Sequence, residues 1–267
     1  MTTASLPKTV VNSLGMKFAL IPAGAFLMGS PQEEKQRSKD EEQHEVLITR
    51  PFYLGVYPLT QGQWRAVMGN NPSCCCATGG GKEEVQGMDT DDFPVENVSW
   101  EDAQEFLGKL VALGEEREVG RQYRLPAEAE WEYASRGGAS DYQVFHYGNV
   151  LSSTQANFNG NYPYGGAAKG PYLERTSKVG SYEPNSFGLY DMHGNVWEWC
   201  ADWYDKDYYK NSPRRDPAGP SAGSCRVLRG GSWDCFGQRC RSAWRNGTEP
   251  ANRYEYLGFR IVLVLSE

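Results

Sequence analysis

The sequence predicts an α+β fold, a single loop-rich domain. Three observations carry this. Helical patterns with well-formed starts are confined to the first half of the chain. Short alternating apolar stretches, the mark of half-buried strands, lie before and between them. After Gly138 glycine, asparagine, tyrosine and tryptophan dominate, yet no linker, low-complexity tract or fixed-period repeat divides the 267 residues. A chain of this length can bury a full core as one unit. We set an N-terminal tail at 1–14 and the domain at 15–267.

The elements follow in order. Gly15–Ser30 reads as two short strands broken by Pro22-Ala23-Gly24, which predicts a hairpin. Ser30–Glu45 is densely charged and is expected to be a solvated loop. The stretch from His44 to Thr60 alternates as strands do. Thr60 with Gln63 forms a capping box that starts a helix, with Trp64, Val67 and Met68 as its apolar stripe. The polar loop that follows holds Cys74, Cys75 and Cys76. Three adjacent side chains cannot all face one way, so these are expected as exposed thiols. A second helix starts at Ser99, with Asp102 three residues on and Phe106, Leu107, Leu110 and Val111 on one face. A third begins near Pro126 and stops at Gly137. Glu128 and Glu130 there complement the helix dipole and are expected to be solvent-exposed.

Charge and cysteine usage narrow the function classes. A net charge of −7 disfavours a phosphate-binding surface, so nucleic acid is not expected as a partner. No stretch reaches the roughly eighteen apolar residues that span a membrane, and the N-terminal residues lack the apolar run of a leader. A cytoplasmic protein is therefore expected. The odd count of seven cysteines does not suit a secreted disulfide framework. The arginines of Leu257-Gly-Phe-Arg260 and of Arg226–Gly231 are expected in buried ion pairs or backbone bonds.

Four stretches together resemble the formylglycine-generating enzyme family, also called sulfatase-modifying factors. They are GMKFALIPAGAFLMGS, YRLPAEAEWEYASRGG, NSFGLYDMHGNVWEWCADWY, and RVLRGGSW with its sequel CRSAWRN and LGFR. The resemblance runs from about Gly15 to Arg260. It implies one domain with a C-type-lectin-related core, calcium, and, in the enzymes, a Cu(I)- and O2-dependent oxidation of a substrate cysteine to formylglycine. Relatives of the same fold include iron-dependent sulfoxide synthases and binding modules.

For calcium, Asp191 and Glu198 are carboxylates bracketing a glycine turn, and calcium takes six to eight oxygens from carboxylates and carbonyls. The resemblance implies Asp191, Gly194, Val196 and Glu198 as ligands, the middle two through their carbonyls. The residues' own alternative is that both carboxylates bond loop backbone or pair with arginines. A second implied site starts at Asn157 and Phe158, but its acidic ligand is missing where Gly170 and Pro171 stand. His193 is expected as a neighbour of calcium and not a ligand.

Cys235 and Cys240 fall at the family's two copper positions when counted forward from Gly230-Gly231-Ser232. Soft thiolates select Cu(I), and Arg239 and Arg241 are placed to lower the thiol pKa values. Trp197 and Ser232 match positions lining the substrate groove. The departures are specific. Phe236 stands for the active-site histidine, Arg239 for a tyrosine, and Tyr256 for an asparagine. Counted backward from Arg241–Arg245, Cys240 instead matches a cysteine of members without known activity. Two function classes therefore stay open. One is an oxidoreductase using Cys235 and Cys240. The other is a non-catalytic domain binding a protein or peptide ligand through Asp234, Phe236, Gly237, Arg239, Trp244, Tyr254 and Tyr256, aromatic and arginine side chains being common anchors. A variable protein of a diversity-generating retroelement is one form of the second. Mutating adenines in AAC codons gives Asp, Cys, Phe, Gly, Arg and Tyr, but not Trp244 or Glu255. A Cys235–Cys240 disulfide is a third arrangement, disfavoured in a reducing compartment.

Overall fold

The computed structural model describes residues 6–139 and 141–264. The chain opens with β1 (Thr9–Val11), β2 (Lys17–Ile21), β3 (Gly24–Met28), β4 (His44–Ile48) and β5 (Phe52–Gly55). Three helices follow, α1 (Gln61–Met68), α2 (Trp100–Ala112) and α3 (Gly114–Glu118), then β6 (Gln122–Arg124) and α4 (Glu128–Ser135). The second half holds β7 (Trp197–Trp203), β8 (Arg226–Arg229), β9 (Asn246–Thr248), β10 (Leu257–Gly258) and β11 (Val262–Val264). These strands make a five-stranded sheet in the order β1-β2-β5-β11-β6, a four-stranded sheet β10-β7-β8-β9, and a β3-β4 ribbon. The first and last described strands thus share one sheet, while the sheet carrying β7 and β8 presents the candidate site. Among the described residues no helix is long and apolar enough to cross a membrane.

Both predicted capping boxes are present. Thr60 accepts from the Gln63 N–H and Gln63 reaches back to Thr60, and Ser99 and Asp102 do the same for α2. Each satisfies amide donors that a helix start leaves free. The buried face of α2, Phe106, Leu107 and Leu110, packs with Trp64, whose ring stacks on Phe106 at 5.4 Å. Gly137 takes φ 64° just after α4, the left-handed conformation that ends a helix without a Cβ penalty.

Five expectations need correction. β2 and β3 do not form a hairpin. β2 pairs with β1 and β5, and β3 pairs with β4, so Pro22-Ala23 is a crossing between sheets. Residues Thr9–Val11, assigned to a tail, form an edge strand on β2. The charged segment after Ser30 is not a solvated loop. Glu41 and Asp40 are buried, and both Glu34 and Glu41 pair with Arg241. Glu128 is buried too, taken by both the Nε and Nη2 of Arg245, and Glu130 is paired with Arg124. Last, Cys75 and Cys76 are buried rather than exposed. The reason is Glu96, a buried carboxylate that accepts the Cys74 and Cys75 N–H groups at 3.0 and 2.7 Å and folds the loop inward. The arginines of the two C-terminal motifs behave as expected. Arg260 pairs with Glu198, and Arg229 pairs with Glu132.

Candidate functional site

The thiol segment is shaped by two glycines that follow β8. Gly230 and Gly231 have φ 98° and 74°. A Cβ on Gly231 would stand 2.7 Å from the Cys240 Sγ, so only glycine admits the sulfur. A 3₁₀ turn, Gly237–Cys240, then brings the chain back beneath Gly231. Two backbone bonds pin it to the preceding loop, Asn159 N–H to Cys235 O and Gly237 N–H to Tyr162 O.

Both thiols lie in the main core. Cys235 is 4% exposed and Cys240 0%, and all seven cysteines are free, which leaves the disulfide arrangement out. Burial pushes the Cys240 thiol well up. The Cys235 thiol is raised first by burial and then by the Asp234 carboxylate, with Arg239 opposing. Arg241, expected to help lower these values, is committed to Glu34 and Glu41 instead. The Cys235 Sγ lies 3.1 Å from the Ser232 hydroxyl, whose oxygen is 2.5 Å from Asp234 Oδ1. Ser232 and Trp197, expected in a groove, are both buried.

The metal stretch sits beside this segment. Asp191 is nearly enclosed, takes the unusual φ of 56°, and accepts the Gly180 N–H at 2.8 Å. Desolvation pushes its carboxyl up to about 6. Such a poorly compensated buried acid suits a cation. Glu198 does not fit as well. Its carboxylate receives Arg260 Nε and Nη2 and the Trp131 Nε1, each at 2.7 Å, and is already neutralised. Asn157, on the second implied site, has a buried Oδ1 with no partner, while its Nδ2 bonds Arg175 O and Asn195 Oδ1. Phe158 is wholly in the core. Gly194 lies against the Asn157 carbonyl, close enough that a Cβ there would stand 2.2 Å from it, so the two implied sites are neighbours. Among the described residues no group of three His, Cys, Asp or Glu side chains is arranged to hold a metal.

His193 has a role that the sequence did not reveal. Its Nδ1 lies 2.8 Å from the Cys240 carbonyl, and its Nε2 receives the His146 N–H at 3.2 Å. It is a strut between the metal stretch and the thiol turn.

Around the enclosed thiols the surface is aromatic. Phe236 is 43% exposed and packs on Tyr162 with ring centres 4.1 Å apart. Tyr254 is 41% exposed and stacks on Tyr256 at 5.2 Å. Trp233 faces Tyr172 at 6.4 Å and donates its Nε1–H to the Glu255 carbonyl at 3.2 Å. Arg239 is exposed and Gly237 is buried within the turn. Trp244 belongs elsewhere, for Arg241 lies over its ring at 5.3 Å. Tyr162, Tyr172 and Trp233 were missed in the sequence because they lie in loops without periodicity. The only available signal was that Trp233 completes Gly-Gly-Ser-Trp.

Comparison with known proteins identifies the family and the fold. The chain is 41% identical over 174 residues to the formylglycine-generating enzyme of Streptomyces coelicolor, covering 62% of this chain and 51% of that one. It is 32% identical over 265 residues to the serine/threonine-protein kinase pkn1 of Chlamydia caviae, covering 91% of this chain and 37% of that one. The chain thus spans about half or less of these relatives. Two solved structures superpose over nearly their whole length. Treponema denticola variable protein 1 has a TM-score of 0.78 at 26% identity, covering 96% of this chain and 99% of that one. PvdO from Pseudomonas aeruginosa has a TM-score of 0.78 at 27% identity, covering 98% and 100%. The fold is therefore the α+β, C-type-lectin-related one that was expected. Residues 3–265 match the family described as sulfatase-modifying factor enzyme 1-like domain, and the chain belongs to that family.

Proposed function

We propose that this chain is a ligand-binding member of the family, taking a protein or peptide on the aromatic surface of its C-terminal segment. The observation that carries the reading is the contrast between buried and exposed groups. Cys235 and Cys240 are enclosed with raised thiols, while Phe236, Arg239 and Tyr254 stand in solvent at positions where the resembling enzymes are expected to have other residues or a groove. A thiolate is the metal-binding form, and burial without a compensating charge opposes it. Rigid aromatic side chains on pinned loops lose little entropy when they bind. Seven free thiols suit a reducing, cytoplasmic setting.

A second reading is kept because Cys235 lies directly on Ser232 of the Gly-Gly-Ser-Trp motif and because of the identity with the Streptomyces enzyme. In it Cys235 and Cys240 hold Cu(I), which would supply the centre for O2-dependent oxidation of a substrate cysteine to formylglycine. Ser232 would position Cys235, and the aromatic rim would hold the peptide. Calcium on the Asp191 carboxylate and the Gly194 and Val196 carbonyls, with Glu198 kept to its Arg260 pair, is proposed under both readings as a brace for the turn.

The deciding experiment is a Cu(I) titration of the reduced protein against a competing chelator, beside a Cys235→Ser/Cys240→Ser double variant. The binding-domain reading expects no tight site. One-to-one binding that disappears in the double variant would overturn it in favour of the oxidase.

A further inference from the structure

Trp64, Trp197 and Trp199 lie in the core, and among the half-buried tryptophans one is set apart. Trp100 and Trp203 share Arg226 between their faces at 3.9 and 3.5 Å, Trp131 has Arg229 at 5.4 Å, and Trp244 has Arg241 at 5.3 Å. Trp233, on the aromatic surface, has no such cation among the described residues. Neither do Tyr172, Tyr254 and Tyr256. The negative face of an aromatic ring attracts a cation, so these rings present that attraction unspent.

Carboxylates sit among the same rings. Asp234 follows Trp233 in the chain and accepts from the Ser232 hydroxyl, and after desolvation its charge raises the hydroxyl pKa values of Tyr172 and Tyr256. Its side chain is bonded to Ser232 alone, and it has no arginine, lysine or histidine within ion-pair distance among the described residues. Glu255 joins the two aromatic pairs through the Trp233 bond to its carbonyl, and its own carboxylate is exposed and likewise unpaired among the described residues. Arg239 stands exposed on the 3₁₀ turn that follows. Asp102, by contrast, is paired with Arg253.

We propose that this niche, Tyr172, Trp233, Asp234, Tyr254, Glu255 and Tyr256, receives an arginine or lysine side chain of a partner protein. The inference rests on the binding-domain reading above and names the chemistry of its ligand. A basic side chain supplies what the niche lacks, a cation for the ring faces and a partner for the two acids. Its aliphatic stem covers the exposed tyrosines. A neutral aromatic ligand would leave both carboxylates partly desolvated and unpaired, which costs free energy. An acidic ligand would be repelled.

The test uses the whole chain and immobilised peptides identical except at one central position, which is arginine, lysine, glutamine or glutamate. Binding is read by interferometry at low and high salt. The arginine and lysine peptides are expected to bind, with the glutamine peptide roughly tenfold weaker and salt weakening the basic peptides most. Asp234→Asn and Glu255→Gln, both of similar shape to the originals, should each narrow that gap, and Trp233→Ala should remove binding. Equal binding of the glutamine peptide, or preference for glutamate, with loss in Trp233→Ala, overturns the cationic ligand and leaves the surface reading standing. No binding by any of the four peptides, with Trp233→Ala indistinguishable from the parent, overturns both.

Discussion

Arg241 and Glu41 are 200 positions apart and form a forked ion pair at 2.7 and 2.8 Å with neither side chain exposed. Glu34 takes the same guanidinium, and Arg241 Nη2 also donates to the Gln36 carbonyl at 3.1 Å. A dense acidic segment is thereby drawn onto the C-terminal turn. Arg245 repeats the device, pairing with Glu128 and donating to the Asp40 carbonyl. Residues 34–41 are thus one wall of the segment that carries Cys240.

Glu41→Gln should therefore behave as a core substitution. Removing its carboxylate breaks a buried, forked ion pair, and such changes cost about 3–5 kcal/mol. Glu34 remains and places the expected loss at the lower end. Exposed Glu42→Gln, one residue away, should stay within about 0.5 kcal/mol. Urea unfolding of both variants measures this, and equal midpoints would refute the wall.

These contacts show where the sequence was legible. Helix starts were readable because Thr60 and Gln63, or Ser99 and Asp102, meet within one turn of chain. Cys235 and Cys240 were singled out by counting from the glycine pair before them. Their enclosure was not readable, since it depends on packing with distant residues. The acidic segment has no local sign that Arg241 will neutralise it. Likewise nothing near Cys74–Cys76 announces that Glu96 will accept two of their amides. The β2–β3 crossing was hidden because each strand's partner lies elsewhere in the chain.

Acid should loosen the domain through His146. Its ring nitrogens are buried, and desolvation, only partly opposed by the Glu183 backbone, depresses its pKa from the ordinary 6.5 to about 4. The folded state binds fewer protons than the unfolded one in that window. Its contribution is fully present above pH 6.5 and is lost as pH falls through 4. The gap corresponds to at most about 3 kcal/mol, less for a side chain that retains partial exposure. His146→Phe keeps a ring against Tyr147 and His193 and should flatten stability between pH 6.5 and 4. Parallel pH curves for variant and parent would remove His146 as the cause.

Asp202 should act in the opposite sense. It is buried, accepts the Glu128 N–H at 2.8 Å at the start of α4, and is pushed up to about 7 by desolvation and then by Glu128. The folded state holds the proton more tightly than the unfolded chain does. The stabilising contribution is thus present below pH 3.8 and lost as pH rises through 7. Asp202→Asn retains an oxygen for the Glu128 amide without the charge. Its stability relative to the parent should climb between about pH 4 and 7, by up to about 4 kcal/mol. A constant difference across that range would contradict the assignment.

The last expectation separates calcium from ion pairing in the Asp191–Glu198 turn. Glu198 is a poor probe, because replacing it breaks the Arg260 pair whether or not calcium is held. Asp191 is the better one. Its carboxyl is pushed up to about 6 by desolvation, and asparagine tolerates the left-handed backbone found there. Calcium at a hundredfold excess over its Kd would add about 2.7 kcal/mol to folding. Thermal melts should show a calcium-dependent rise in the parent, none in Asp191→Asn, and a retained rise in His193→Ala, although that variant is weakened by losing its bond to the Cys240 carbonyl. A parent midpoint indifferent to EDTA, in protein that carries no calcium, would instead leave Arg260 and Trp131 bracing this turn through Glu198.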